Sequence, residues 1–568
     1  MFTLISFPPD YGVYFRFVEV CMAKASEKTK DTNRVKKSII LSGLVGTGGL
    51  FVAKALGLVY SIPLSTILGS DAYMSYYGTA YRIYSYILNV FTAGFPFAIA
   101  TLVARYSVKN DNRSLLLIRK ISLTVMAITG LAGMLLMAGF SGLLANLVAP
   151  ARDVSIMAWV LRILALAIFF VPVLSAFRGF YQGRREMKEY AFSQAFEQLF
   201  RVGFLLSVSW LLVYVLNKER VFALYTAVLS TSIAAVAGIL QIYSFDRRCI
   251  VEIREGAAVQ EYEGMEQSAM IREFLALAIP YLLVAIMGYC DDIFNSVLLP
   301  LGLRMHGFDG DTQNVILSAC NYVGTKLTAI PMILAPGFTS ALIPHISSAL
   351  EERNMKKVSS NVRDCLNIIF YIGLPVSFCI FLYSRELYHI LFYTDDLATS
   401  SAVLSWIAIE GFLGTVGPVV TNIMMALGLK KNVLKRLLIN FLIKGSLMVP
   451  FIYLWGFPGA VISSMCGNIY LSAANLAEIS RTYSISFKPL IRKIIKICIG
   501  VLCMWGAKIL LDHIGLYAGE GAKLTCLIRL MVNGIMSVLV YLGVTAFMRI
   551  PQTIFHVNFS KILKRAKH

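Results

Sequence analysis

Apolar runs long enough to cross a bilayer recur along this chain from Ser38 to Phe547, and that recurrence limits the fold more than any other feature of the sequence. A hydrocarbon layer of about 30 Å needs roughly 20 helical residues, each rising about 1.5 Å. With 57% hydrophobic residues and a mean hydropathy of +0.70, the chain has too little polar surface for a soluble domain. It reads as an all-α polytopic membrane protein.

The spacing predicts fourteen transmembrane helices, near 38–60, 72–104, 115–146, 154–177, 190–216, 221–245, 271–300, 312–349, 362–383, 398–427, 433–454, 458–480, 490–511 and 524–548. The connections alternate in charge. Those that share a side with the N-terminus hold 38 Lys and Arg, and the opposite side holds six: Arg152, Lys218, Arg220, Arg304, Arg385 and Lys523. The positive-inside rule then places both termini in the cytoplasm. The same pattern accounts for the net charge of +20 through topology, so no nucleic-acid partner is expected. Residues 1–37 form a cytoplasmic tail. Its first 21 residues lack a basic n-region and a cleavage site, and Met22 opens a plausible start.

The stretch Tyr73–Tyr106 carries one charge, Arg82, inside an apolar run. Leu317–Leu350 is its counterpart: Lys326 lies 244 residues after Arg82, and Gly337 lies 243 after Gly94. Ile62-Pro63-Leu64 likewise resembles Leu299-Pro300-Leu301, and Gly183 resembles Gly428. Six helices separate the matched segments, so the repeats are parallel. The expected organisation is an N-lobe at 38–245, a cytoplasmic linker at 246–270, a C-lobe at 271–482, helices 13 and 14 at 483–549, and a basic cytoplasmic tail at 550–568. Two related segments, each holding an interior cation, suggest a duplicated transporter with a basic cavity.

Catalysis finds no support. There is no GxxxxGK[ST] loop, no HExxH, no nucleophile elbow and no loop large enough for a catalytic domain. Ten scattered Cys without a CxxC and six His without ligand spacing predict no metal site. No cofactor is expected. The driving force is then the membrane potential, a monovalent-cation gradient or the substrate's own gradient.

Local motifs carry a resemblance. Ala53-Lys54-Ala55-Leu56-Gly57, Tyr60-Ser61-Ile62-Pro63-Leu64, Ala93-Gly94-Phe95-Pro96 and the Gly179–Gly183 run resemble the MOP exporter superfamily. The likeness is to its polysaccharide-biosynthesis branch: MurJ-type lipid II flippases and stage V sporulation protein B of Gram-positive bacteria. It spans nearly the whole chain. It implies a flippase in the bacterial plasma membrane that moves a polyprenyl-pyrophosphate-linked sugar, lipid II above all, to the outer leaflet. It also implies a monomer working among membrane lipids and the cell-wall synthesis machinery. A flippase for another lipid-linked polysaccharide or spore-cortex precursor, and a MATE-like cation or drug antiporter, are the alternatives.

Eight cations lie inside predicted helices: Lys54, Arg82, Arg162, Arg201, Lys326, Lys444, Lys508 and Arg529. Each costs about 2.5–3.5 kcal/mol on insertion scales, so such residues face a cavity or a partner unless they reach an interface. In the flippase reading Lys54, Arg82 and Lys326 bind the pyrophosphate; in the competing reading they pair with acids such as Asp291 or Asp292. Arg162 either adds an outer cavity cation or snorkels, and Arg201 and Arg529 are expected to snorkel. Arg178 is expected at a cytoplasmic gate or on a lipid phosphate. Asp291 and Asp292 are adjacent on one helix and must point about 100° apart. Glu410 and Glu197 serve coupling or pair with Lys444 and Arg201. Some lipid II flippases hold sodium with an Asp on helix 7 and Asn-x-x-x-Asp on helix 11; here Asn440 is followed four residues on by Lys444, an ammonium in the cation's place.

Overall fold

The computed structural model describes residues 55–148, 154–184, 186–340, 346, 349–350 and 352–555. Lys54, the tail at 1–37 and residues 556–568 lie outside them. Among the described residues there is no strand. Ten helices are long and apolar enough to cross a membrane: Asp71–Val108, Asn112–Gly139, Val154–Gly183, Met187–Val215, Arg220–Val259, Met355–Leu382, Leu397–Ala426, Asn432–Trp455, Lys488–Leu516 and Lys523–Phe547. Further helices run over Ala55–Leu68, Gln267–Gly288, Thr325–Ser340 and Phe457–Tyr483.

Local sequence accounts for several breaks. The Asp71–Thr92 helix starts where the Ser70 hydroxyl accepts from the Ala72 N–H. It gives way to the Phe95–Val108 helix at Gly94, whose φ of 88° suits glycine, with Pro96 in the new first turn. The Gln267–Gly288 helix breaks at Tyr289 and resumes through Cys290–Ile293, a π-helical turn at Phe294–Leu298 and Leu299–His306.

The largest departure from the expected boundaries lies between the two halves. In place of a helix ending at 245 and a free linker, the Arg220–Val259 helix runs on for 40 residues. Asp246, Cys249, Ile250, Ile253 and Ala257 are buried along it at helical spacing, so the extension has its own packing face. The chain beyond it is pinned to the first half. Gln260 donates to Asp111 (3.0 Å), Tyr262 donates to the Lys109 carbonyl (3.1 Å), and the Met265 N–H donates to Ser114 (2.8 Å).

The buried residues define how the halves meet. Towards the end that carries Arg304 and Arg385, Tyr60, Met74, Leu161 and Leu224 share one core with Leu303, Tyr322, Tyr388 and Ile452 of the second half. Towards the basic end the cores separate. Leu102, Phe177 and Ile250 pack in one, with Met270 and Phe274 attached; Val362, Val420, Leu437 and Ile479 form another. The sparsely charged end is sealed by hydrogen bonds as well as by apolar contact. Asp71 accepts from the Asp395 N–H (2.7 Å) and from the Thr394 hydroxyl (3.0 Å), and Arg304 donates to the Leu147 carbonyl.

Candidate functional site

The site forms where the Asp71–Thr92 helix of the first half crosses the second half. Gly78 makes the crossing close. A Cβ there would stand 2.7 Å from the Asn321 carbonyl carbon, inside a π-helical turn at Ser318–Gly324. Asn321 donates to Thr79 across the contact (3.0 Å), and Tyr322 donates to the Ser61 carbonyl (2.7 Å).

Arg82, one turn further along, reaches over the same crossing. Its Nη1 lies 3.3 Å from Asp292 Oδ1, and its Nη2 donates to Thr325 Oγ1 at 2.9 Å. Asp291 turns the other way and accepts from Lys444 Nζ at 2.7 and 2.9 Å. Two adjacent carboxylates beside the break at Tyr289 thus hold one cation from each half. Glu410 shares a hydrogen bond with Ser464 and lies within electrostatic reach of Asp291, Lys444 and Arg82. Asn440 is buried one turn before Lys444, and its Oδ1 takes no hydrogen bond. The Lys444 ammonium occupies both oxygens of Asp291, so this donor set does not fit a bound metal cation.

Lys326, from the second half, sits 5.3 Å from the centroid of the Tyr60 ring, and its Nζ lies 3.4 Å from the Tyr60 hydroxyl. Arg201 approaches the same ring at 5.5 Å. The Tyr60 and Tyr77 hydroxyls are 3.2 Å apart, and Tyr77 packs on Tyr81 and Tyr322. These tyrosines, Arg82 and Lys326 line one seam between the halves.

Other predicted residues lie elsewhere. Arg162 is exposed, donates to Ser141 (3.0 Å) and covers the exposed ring of Trp159. Arg178 pairs with Glu197 (2.8 Å) and donates to the Ser193 carbonyl (2.8 Å), all within the first half. That corrects two expectations. Glu197 pairs with Arg178 from the neighbouring helix, not with Arg201 one turn along its own. Arg201 does not snorkel to an interface: it turns inward to the tyrosines, with Glu197 still within electrostatic reach. Sequence reasoning named Arg201 but misread its setting, and a signal existed: it lies 243 residues before Lys444, the spacing that relates Gly94 to Gly337. The expected pairing of Lys54 with Asp291 or Asp292 falls outside the described residues, and the structure gives those acids other partners.

Comparison with known proteins bears on this architecture. The model of the polysaccharide biosynthesis protein family matches residues 35–350, more than half of the chain, and the MatE model matches 316–454. The lipid II flippase MurJ of Bacillus subtilis (strain 168) is 27% identical over 478 residues, covering 81% of this chain and 86% of the relative. Stage V sporulation protein B of the same organism is 20% identical over 86% of this chain and 92% of its own. A solved structure of the lipid II flippase MurJ in an inward closed conformation superposes with a TM-score of 0.65 at 15% identity, covering 89% of this chain and 98% of that one. Multiple apolar helices, two halves meeting across a charged seam and the family match lead to one conclusion: the chain belongs to the polysaccharide biosynthesis protein family of the MOP superfamily, and is a multi-pass membrane transporter rather than an enzyme.

Proposed function

We propose that this protein is a flippase for a polyprenyl-pyrophosphate-linked sugar precursor, with lipid II as the substrate, working in the bacterial plasma membrane by alternating access. One observation carries the reading: the halves share a broad core at the sparsely charged end, whereas at the basic end the first-half core takes in only the start of the Gln267–Gly288 helix and the rest of the second half packs on its own, with Arg82 and Lys326 in the seam between them. With fourteen spans, both termini cytoplasmic and two parallel six-helix repeats followed by two further helices, the basic end faces the cytoplasm. The seam then meets the leaflet in which such precursors are made. Fixed cations attract the pyrophosphate while the polyprenyl tail stays in the bilayer. Lys54 joins Arg82 and Lys326 on the substrate, Arg162 meets it near the outer face, and Arg178 steadies the cytoplasmic entrance. Rocking of the halves against each other exposes the seam to either side.

Asp291, Asp292, Asn440, Lys444 and Glu410 form the coupling region in this reading. The Lys444 ammonium satisfies Asp291 from within the protein, which favours the membrane potential over a bound cation as the driving force. The similarity to a lipid II flippase over most of both chains supports lipid II over other lipid-linked glycans. The second reading, a MATE-like cation antiporter, is favoured by the MatE match and by three acids in the seam. Two of those acids are paired with Arg82 and Lys444, and Lys326 and Arg201 set against Glu410 leave an excess of one positive charge.

The test is complementation of a bacterium depleted of its lipid II flippase, with wild type, Lys54→Ala and Arg82→Ala at matched expression. Rescue by wild type alone is the expected result. Rescue by all three rejects the proposed binding residues and keeps the flippase. Absence of rescue by well-expressed wild type rejects lipid II.

A further inference from the structure

The contact between the halves carries a polar line that sealing does not require. On the Asp71–Thr92 helix, Ser75 and Thr79 are buried between Asp71, at the sparsely charged end, and Arg82. Opposite them, along Gly310–Leu317 and the Ser318–Gly324 turn, Asn314, Ser318 and Asn321 are buried as well. The two rows run in register. Thr325 accepts from Arg82, Asn321 donates to Thr79, and the Ser318 hydroxyl lies beside the Asp71 carboxyl. Membrane helices use such side chains to hold one another, and glue of that kind is paired. Here acceptors outnumber donors. The side-chain oxygens of Asn314 and Asn321 are buried and take no hydrogen bond, and Asp71 has no cation within ion-pair distance among the described residues. A buried oxygen without a donor is costly, so the closed seam is under-satisfied.

We infer that this line is the binding surface for the sugar of a prenyl-pyrophosphate substrate: once the halves part at the sparsely charged end, Thr79, Asn321, Ser318 and Asp71 accept hydrogen bonds from the hydroxyl and amide groups of the sugar next to the pyrophosphate. This deepens the flippase reading and rests on it. What the line lacks is donors. A sugar brings several on each ring, whereas an ionised phosphate brings acceptors alone. The Asp71 carboxylate repels an anion and accepts from hydroxyls, so it orients the head group with its pyrophosphate at Arg82 and its sugar outward. The spacing agrees. At about 1.5 Å per residue, Thr79 and Ser75 stand about 5 and 10 Å outward of Arg82, the reach of the first and second sugar rings beyond a pyrophosphate. The sealed structure holds these groups against each other, so the surface forms only as the outer end opens.

The test uses the purified full-length protein in detergent with two probes, farnesyl pyrophosphate and farnesyl-pyrophosphoryl-N-acetylglucosamine, and reads both affinities by microscale thermophoresis. Their ratio isolates the sugar contact, because a change in how often the seam opens, or in pyrophosphate binding, acts on both probes alike. Wild type is expected to prefer the sugar-bearing probe. Ser318→Ala and Asn321→Leu are each expected to lower that preference about three- to tenfold, the scale of one neutral hydrogen bond. Ser230→Ala, which removes a buried hydroxyl bonded to the Ala227 carbonyl of its own helix, leaves the preference unchanged. A packing role alone would move the unfolding temperature of the two seam variants and not the ratio, and that result overturns the sugar surface. Equal binding of both probes by wild type also overturns it and leaves the prenyl-pyrophosphate reading standing. Wild type that binds neither probe overturns the reading and the inference together.

Discussion

Lys444 and Asp291 form an unequal pair: the lysine side chain is 2% exposed and the carboxylate 41%, with Nζ 2.7 Å from Oδ1. Removing the acid strands a buried ammonium, whereas removing the lysine leaves a carboxylate that water reaches. Breaking a buried pair from the side that leaves the charge stranded costs about 3–5 kcal/mol. A half-exposed carboxylate without its partner costs about 1 kcal/mol. Asp291→Ala is therefore expected to lower the unfolding temperature in detergent well below that of Lys444→Met. The opposite ranking would show that the lysine has another counter-ion.

The same ammonium makes a prediction about coupling. Because Lys444 already satisfies both oxygens of Asp291, replacing Na+ by K+ at fixed pH and ionic strength is expected to leave the transport rate of wild type unchanged in proteoliposomes. Dissipating the membrane potential is expected to slow it. A rate that follows Na+ concentration would sink the proposed role of Lys444.

Arg82 and Asp292 separate substrate binding from simple charge balance. In Asp292→Ala the guanidinium keeps Thr325 but loses its carboxylate. In the double variant Arg82→Ala/Asp292→Ala neither charge remains. If the pair only balances charge, the double variant regains both stability and complementation. The expected outcome is that it regains thermal stability relative to Asp292→Ala and still fails to rescue flippase-depleted cells, because the proposed function places Arg82 on the pyrophosphate.

What was legible in the sequence was what depends on residues near one another along the chain. Asp291 with Asp292 marks two diverging directions, because that follows from helix geometry, whereas the break at Gly94 falls inside a helix expected to run over 72–104. The extension of the Arg220–Val259 helix past 245 was hidden because its alternation of charged and apolar residues suits a solvated linker as well as a half-buried helix. Partnerships between helices were hidden for a deeper reason. Glu197 and Arg201 have ideal spacing for a pair within one helix, yet Arg178 from the adjoining helix takes the carboxylate, and which cation wins depends on packing across the lobe. The spacing held a hint: Arg201 lies 243 residues before Lys444, the offset that relates Gly94 to Gly337.

The sealed end makes a prediction about access. Asp71 accepts from the Asp395 N–H and the Thr394 hydroxyl, and the Tyr393 N–H reaches Ser65 at 3.4 Å beneath them. Asp71→Ala leaves the Asp395 N–H without its acceptor, while the Thr394 hydroxyl keeps the Asp396 carbonyl and Ser400; the stranded N–H costs about 1–3 kcal/mol, so the sealed arrangement loses population. With the exposed Cys466, Cys498 and Cys503 replaced by serine, a cysteine placed at Ser65 is expected to react slowly with a membrane-impermeant maleimide added outside intact cells. Asp71→Ala is expected to speed that reaction. An unchanged rate would mean that the carboxylate does not hold the seal.

The Gly179–Gly183 motif has a structural explanation that leads to the last prediction. Gly183 packs so closely that an added Cβ would lie 2.6 Å from the Ala100 carbonyl oxygen and 2.6 Å from the Val103 Cβ. That contact seats Tyr181 deep in the first half, where its hydroxyl donates to Asp246 at 2.6 Å. Asp246 is 1% exposed and also accepts from both Nε and Nη2 of Arg119. A fully buried carboxylate with a bidentate guanidinium and a phenol is satisfied on every side, and each deletion leaves a different debt. Tyr181→Phe removes one neutral donor and is expected to cost about 1–2 kcal/mol. Arg119→Ala leaves the carboxylate buried without its counter-ion and is expected to cost about 3–5 kcal/mol, enough to reduce the yield of folded protein sharply. Arg119→Met combined with Asp246→Leu removes both charges and keeps apolar volume, and is expected to recover much of that yield. Folded yield by fluorescence-detected size exclusion ranks the variants; a double variant no better than Arg119→Ala would show that the charges serve more than the packing of this lobe.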